Sequence, residues 1–310
     1  MKQKYNGLCV IDSVYTLFLF ILVNIKDYKN FFYIFWVNMP KSISDKFQYK
    51  LLLHDSFVAI SNPHNYIQNW HYKFRFYYLM TKYRLWTLPV CGQDHLPFSR
   101  FILNYTYKDF EEYEDGLANY VHQEEVVTNK LLKRLCAADA EPRLGYSDKV
   151  KKIYLTDSNI TISPVIADKV QYVDIKKIWD SLCEEKKEEV KEIFMMSKIN
   201  IDDDIETIVL TRPFSEAKIC TEEKKIKILK DILNNSKISK VAIKPHYRER
   251  TNYKKLFPDI NILEGKFPIE LFMLMYGGKI KKFITYGECS AEHFIRRYYP
   301  ETEYLKVAIK

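Results

Sequence analysis

Short apolar runs alternate along this chain with longer helix-patterned stretches. That alternation constrains the fold more than any other feature of the sequence. The apolar runs fall at residues 8–11, 31–37, 152–155, 207–210, 241–243, 261–263 and 283–286. Helical patterns lie between several of them, at 117–136, 175–196, 222–233, 268–275 and 291–298. Strands joined through helices pair in parallel, because a tight hairpin connects only antiparallel neighbours. The fold class expected is therefore α/β. From residue 206 onward the order is strand, helix, strand, loop, strand, helix, strand, helix. That is the layout of a compact nucleotide-binding domain.

The first half is less regular and richer in aromatics. A charged stretch at 174–198 separates the halves and carries Glu184, Glu185, Lys186, Lys187, Glu188 and Glu189. Opposite charges three and four apart support a solvated helix. The organisation expected is an N-terminal acceptor-side α/β domain over 1–172, a connecting helix over 173–200 and a C-terminal domain over 201–310. A length of 310 residues with 47% apolar content supports two cores. Only 8 residues are glycine, which argues against linker-rich or disordered chains.

The net charge of +8 suits an anionic substrate, a negative membrane surface or nucleic acid, and is too mild to choose among them. Cysteines at 9, 91, 136, 183, 220 and 289 form no Cys-x-x-Cys pair and no zinc-like spacing. They read as reduced thiols of a cytoplasmic protein. The apolar stretch 13–23 follows Asp12, lacks a small-x-small cleavage site and is shorter than a span needs. It reads as a buried helix after a strand at 8–11, so neither export nor a membrane span is expected.

Residues 69–86, NWHYKFRFYYLMTKYRLW, interleave rings with Lys73, Arg75, Lys82 and Arg84. One reading is contact with nucleic acid or membrane, through rings and phosphate-seeking cations. The other is a helix that packs its rings on a sheet while Lys and Arg extend outward.

Four segments carry candidate chemistry. In KVAIKPHYRER a short strand at 241–243 ends on Lys244 and His246, with Arg248 and Arg250 behind, which is either a surface turn or a mouth for an anion. In KKFITYGECSAEHF a strand runs to Gly287, and Cys289 and Ser290 open a helix. A helix N-terminus offers unpaired N–H groups to a phosphate, although Ser290 alone also reads as an N-cap. In GKFPIELF, Pro268 suits the first helical turn and Glu270 sits where the dipole favours a carboxylate, within reach of a ribose. In FEEYEDGLANYV, Glu114 and Asp115 precede Gly116, which permits a tight turn. Adjacent carboxylates facing one space raise each other's pKa and can prepare a general base. Taken alone, the same turn is a solvated helix cap.

The ordered set of acidic-acidic-Gly, Lys-Pro-His, Pro-x-Glu-Leu and a Cys-Ser helix start resembles the bacterial sialyltransferases, most nearly glycosyltransferase family 52. LTRPFSE at 210–216 and CGQDHLPFSR at 91–100 resemble that family as well. The resemblance implies a GT-B architecture, two Rossmann-like domains facing across a cleft. It implies a metal-independent, inverting transfer of sialic acid from CMP-sialic acid to a galactoside, commonly α-2,3, in a capsule or lipooligosaccharide. By the same resemblance Asp115 is the general base and His246 the general acid. Ser290, Cys289, Glu270, Lys244, Thr211, Arg212 and Pro268 bind the donor. Glu114, Gly116, Asp94 and His95 are candidates for acceptor or sialic-acid contact. No cofactor or metal is expected, and nothing in this scheme calls for nucleic acid. Peripheral attachment at the inner face of the membrane and a homodimer are compatible with it. Two positions depart from the pattern, His246-Tyr247 for His-Pro and Cys289-Ser290 for a hydroxyl pair. Alternatives are another nucleotide-dependent transferase, such as a polysialyltransferase or glycerophosphate transferase, and a basic nucleic-acid-binding protein without catalysis.

Overall fold

A computed structural model describes residues 5–53, 66–121, 130–135, 140–199, 201–202, 204–235, 240–263, 266–287 and 289–307. The chain divides into two compact units, Met1–Leu182 and Cys183–Lys310.

The first unit is built on a seven-stranded parallel sheet. In chain order its elements are β1 (Gly7–Ile11), α1 (Val14–Val23), β2 (Phe31–Phe35), α2 (Lys41–Ser44), β3 (Lys50–Leu52), α3 (Tyr66–Lys82) and β4 (Val90–Gly92). There follow α4 (Pro97–Tyr105), β5 (Phe110–Tyr113), α5 (Ala118–Val121), α6 (Lys130–Leu135), β6 (Val150–Leu155), β7 (Val170–Tyr172) and α7 (Ile175–Ser181). The strand order is β3-β2-β1-β4-β5-β6-β7, and every pair is parallel. The order reverses beside β1, so the loops after β1 and β4 leave the sheet at its switch point, where such sheets bind ligands.

The apolar stretch after β1 is the buried helix its sequence suggests. Ser13 caps it by accepting from the Thr16 N–H, and Val14 through Leu22 are buried but for Tyr15. Phe20 meets the rings of Phe31, Tyr33 and Tyr113 edge-on. α3 and α4 supply the other face, where Phe76 stacks on Phe101 over Val10, Ile34 and Val90. Both faces of β1 are covered, which is why its run is continuously apolar rather than alternating. No helix among the described residues is long and apolar enough to cross a membrane.

The second unit comprises α8 (Glu184–Ile193), β8 (Thr207–Leu210), α9 (Glu222–Asn235), β9 (Val241–Lys244), α10 (Tyr253–Leu256), β10 (Asn261–Ile262), α11 (Ile269–Tyr276), β11 (Lys282–Tyr286), α12 (Ala291–Tyr298) and β12 (Glu303–Val307). Its parallel sheet has the order β10-β9-β8-β11-β12. Val209, Ile243 and Ile284 pack with Leu229, Ile232 and Tyr253 in its core.

Several sequence expectations need amending. The segment 173–200 forms two helices, α7 and α8, and the unit boundary falls between them at Leu182 and Cys183. The helix expected over 117–136 is described only as α5 and α6; residues 122–129 and 136 lie outside the described residues. Strands β3, β4, β7 and β12 were not expected. Three of them are only three residues long, too short for a strand pattern to stand out, and β12 lies on the sheet edge with none of its residues buried. The expected loop before β10 holds the one-turn α10.

Candidate active site

The second unit collects most of the candidates at the carboxyl ends of β8, β9 and β11. Parallel register sets Leu210 beside Lys244 and beside Thr285, so Thr211 and Arg212 leave the sheet next to the Lys244–His246 turn. The turn is held from within. The Glu249 N–H donates to the His246 carbonyl at 2.9 Å, and Glu249 Oε2 accepts the His246 N–H at 2.7 Å. The same carboxylate accepts the Thr211 hydroxyl and, through Oε1, the Tyr253 hydroxyl at 2.7 Å. Behind it the Lys225 ammonium, 1% exposed, lies 3.5 Å from Glu249, 3.2 Å from Glu216 and 2.9 Å from Glu222.

This brace fixes the chemistry of the imidazole. The Arg248 N–H donates to His246 Nδ1 at 3.2 Å, so Nδ1 is an acceptor and the ring proton sits on Nε2. Burial, followed by the charges of Arg248, Lys244 and Arg212, drives its pKa down to about 3. His246 is thus a neutral Nε2–H donor among cations. Tyr247 stacks on it with ring centres 4.5 Å apart, which is what the departure from His-Pro places there.

Lys244 is buried, and its ammonium lies 4.3 Å from the centre of the Phe267 ring. Burial lowers its pKa to about 8 despite the opposing pull of Glu249 and Glu270. Glu270 is buried in the first turn of α11, where Pro268 is the N-cap residue rather than part of the first turn. Burial raises the Cys289 thiol pKa, with smaller opposing effects from the charges of Glu270 and Arg212. Ser290 holds the N-cap position of α12, but it has helical backbone angles and its side chain makes no capping bond. Its exposed hydroxyl is therefore not consumed by the helix. Thr211, Arg212, Lys244, His246, Glu270, Pro268, Cys289 and Ser290 thus lie at one end of one sheet.

The first unit gathers the remaining candidates after β4 and β5. Gly116 has φ +70°, the left-handed value that its turn requires. The Asp115 N–H donates to Asn119 Oδ1 at 2.6 Å, and Asp115 Oδ2 lies 3.5 Å from His95 Nε2. Asp115 and His95 keep 29% and 28% of their side chains exposed. The two adjacent carboxylates do not face one space. Glu114 turns into the unit, where its carboxylate accepts from Tyr15, Tyr120 and both the N–H and hydroxyl of Thr156. Burial raises its pKa against those donors. The carboxylate that feels Asp115 is the fully buried Glu112, pushed up by burial first and by Asp94 and Asp115 after it. Asp94 accepts the N–H groups of Leu144 and Gly145 at 2.8 Å each and clamps that loop.

Asp94, His95 and Glu112 are the group among the described residues whose ligand atoms lie within 4.8 Å of one another, so they could hold a cation. Each oxygen of that set already accepts a hydrogen bond. Those of Asp94 are taken as above, and those of Glu112 by the Asp94 N–H and the Asn119 amide.

Glu249, Lys225, Glu112 and Asn119 were not singled out in the sequence. Glu249 had a readable signal, a carboxylate three residues after a turn-forming histidine, as in a capping box. The others are set by contacts distant along the chain.

Two α/β units, each built on a parallel sheet, are the architecture of a GT-B protein. The model for glycosyltransferase family 52 matches residues 29–291, and the chain belongs to that family. A Haemophilus influenzae protein described as uncharacterized is 32% identical over 285 residues, covering 86% of this chain and 84% of that protein. Among solved structures, an α/β-galactoside α-2,3-sialyltransferase from Photobacterium phosphoreum shares the fold, with a TM-score of 0.57 at 13% identity over 99% of this chain and 91% of that one. The GT-B domain of a Photobacterium damselae sialyltransferase matches with a TM-score of 0.46 at 10% identity, over 91% of this chain and 87% of that one.

Proposed function

We propose that this family 52 glycosyltransferase moves sialic acid from CMP-sialic acid to a galactose-terminated acceptor of a capsule or lipooligosaccharide, forming an α-2,3 link with inversion. The observation that carries the reading is the set of phosphate-directed donors at one sheet end: Arg212, Lys244, the Nε2–H of His246 and the uncommitted Ser290 hydroxyl at the start of α12.

In the proposed step the bond between the anomeric carbon and the phosphate oxygen breaks, and CMP leaves with the electron pair. The acceptor oxygen bonds to the opposite face of that carbon, and its proton passes to Asp115. His246 donates from Nε2 to the departing phosphate oxygen. The ring is already neutral, so it keeps that proton and acts as a hydrogen-bond donor, and the bond strengthens as charge builds on the departing phosphate. Lys244, Arg212 and the N–H groups of α12 offset the same charge. Glu270 holds the ribose. On the acceptor side His95 orients Asp115 and Gly116 sets its turn, while the buried Asp94 and Glu114 act from within the unit by holding the surrounding loops. No step calls for a metal ion.

The test is incubation of the purified protein with CMP-sialic acid, lactose and EDTA, followed by mass analysis. Sialyl-lactose and CMP in equal amounts support the transfer and its metal independence. Absence of both products, together with no binding of CMP, removes the reading. In the same assay Asp115→Asn should keep CMP affinity and lose about a hundredfold in turnover.

A further inference from the structure

The face of α3 turned away from the core is aromatic. Tyr72, Phe76, Leu79 and Met80 are buried, whereas Trp70, Phe74 and Tyr78 are 39%, 68% and 59% exposed. A spacing of four sets these three rings along one ridge of the helix. A solvated helix face ordinarily carries charge there, not three large rings in line. The charges that are present have one sign. Residues 66–86 contain Lys73, Arg75, Lys82 and Arg84, and no acidic residue occurs between Asp55 and Asp94. Lys73 Nζ lies 4.3 Å from the Trp70 ring centre, and Lys82 Nζ lies 5.5 Å from that of Tyr78.

We propose that this face of α3 docks on an anionic phospholipid surface. Trp70, Phe74 and Tyr78 enter the headgroup layer, and Lys82 with its neighbouring cations meets the lipid phosphates. Amphipathic rings and long cationic side chains on one helix face are the chemistry of interfacial binding. Two other occupants fit less well. A second copy packed symmetrically on this face would set Lys73 and Lys82 of one chain against those of the other, which is costly. A single nucleic-acid strand needs open ring faces for base stacking. Here the protein's own ammonium groups lie over Trp70 and Tyr78. Lipid headgroups leave those contacts intact, since the rings enter by their edges.

The surface is independent of the reaction proposed above, and so is its test. The full-length protein is floated with vesicles of phosphatidylcholine alone and of phosphatidylcholine mixed with phosphatidylglycerol. Binding to the mixed vesicles is expected, with little to phosphatidylcholine alone. The triple variant Trp70→Ser, Phe74→Ser, Tyr78→Ser should lose about tenfold or more in partitioning with an unchanged melting curve. Lys82→Glu should lose about fivefold, and it carries the decision if the triple variant melts early. Three results overturn the proposal. One is no flotation of the wild type with the mixed vesicles. Another is flotation that neither variant weakens. The third is a dimer, or a complex with oligothymidylate, that these variants abolish while vesicle binding is absent or unaffected.

Discussion

His246 draws its character from two neighbours in sequence and three charges in space. The Arg248 N–H takes Nδ1, and the surrounding cations keep the ring neutral. Because its folded pKa is about 3, the free protein carries a neutral imidazole throughout pH 5 to 8. The pH profile of kcat/KM should therefore lack a histidine limb near 6.5, the ordinary value. A limb at that value, abolished by His246→Ala, would show that the ring is not held as described. Lys244 makes the opposite demonstration. Its pKa of about 8 leaves it cationic below that pH and neutral above. Nucleotide binding is favoured by the cation, so CMP affinity should hold below pH 8 and decline as pH rises through it. Lys244→Met should bind weakly at neutral pH and show no such decline in titration calorimetry. The sign for stability is the reverse. A buried lysine with a depressed pKa disfavours the fold while charged, and that cost is relieved as pH rises from about 8 towards its unfolded value.

At the scale of elements, the end of β4 is set by a position that only glycine fits without strain. Gly92 closes β4 with φ +124°, and a Cβ there would stand 2.1 Å from the Val10 carbonyl oxygen. The backbone of β4 can approach β1 only because that atom is missing. Gly92→Ala should cost about 2 kcal/mol or more and lower the thermal midpoint by about 5 °C in a circular dichroism melt. It should also disturb Gln93 and Asp94, which follow it. The Gln93 amide oxygen accepts the Asp12 N–H at 2.6 Å across the two strands. An unchanged melting curve would mean that β4 can shift without cost. In the second unit the corresponding device is the Glu249 brace, which ties β8, the His246 turn and α10 to one carboxylate.

For the whole molecule, each unit owns a different half of the proposed chemistry. Every donor-binding candidate lies in Cys183–Lys310, and both halves have cores of their own. The fragment 183–310, produced alone, should fold and bind CMP with an affinity within about tenfold of the full chain, as expected when one domain holds the ligand. A fragment that is folded by circular dichroism yet fails to bind CMP would place donor contacts in the first unit as well.

The sequence by itself determined the α/β class, the parallel crossovers and the turns and helix starts bearing Asp115, His246, Glu270 and Ser290. It did so because those features are local. Apolar runs bury as strands, helical periodicity fills the spaces between them, and glycine or proline marks the turns. Only the tertiary structure decided what each candidate side chain touches. Glu114, beside Asp115 in the chain, points inward to Tyr15, Tyr120 and Thr156, while Glu112 shares the Asp115 environment. The strand ends at Tyr113, and the turn through Gly116 that follows it sends the two neighbouring carboxylates apart, so adjacency in sequence does not give adjacency in a site. The Arg212 charge beside His246, the Thr211 and Lys225 partners of Glu249 and the choice of which α3 rings are buried likewise appear in no local pattern. Each depends on which distant group supplies a hydrogen bond, a charge or a covering surface.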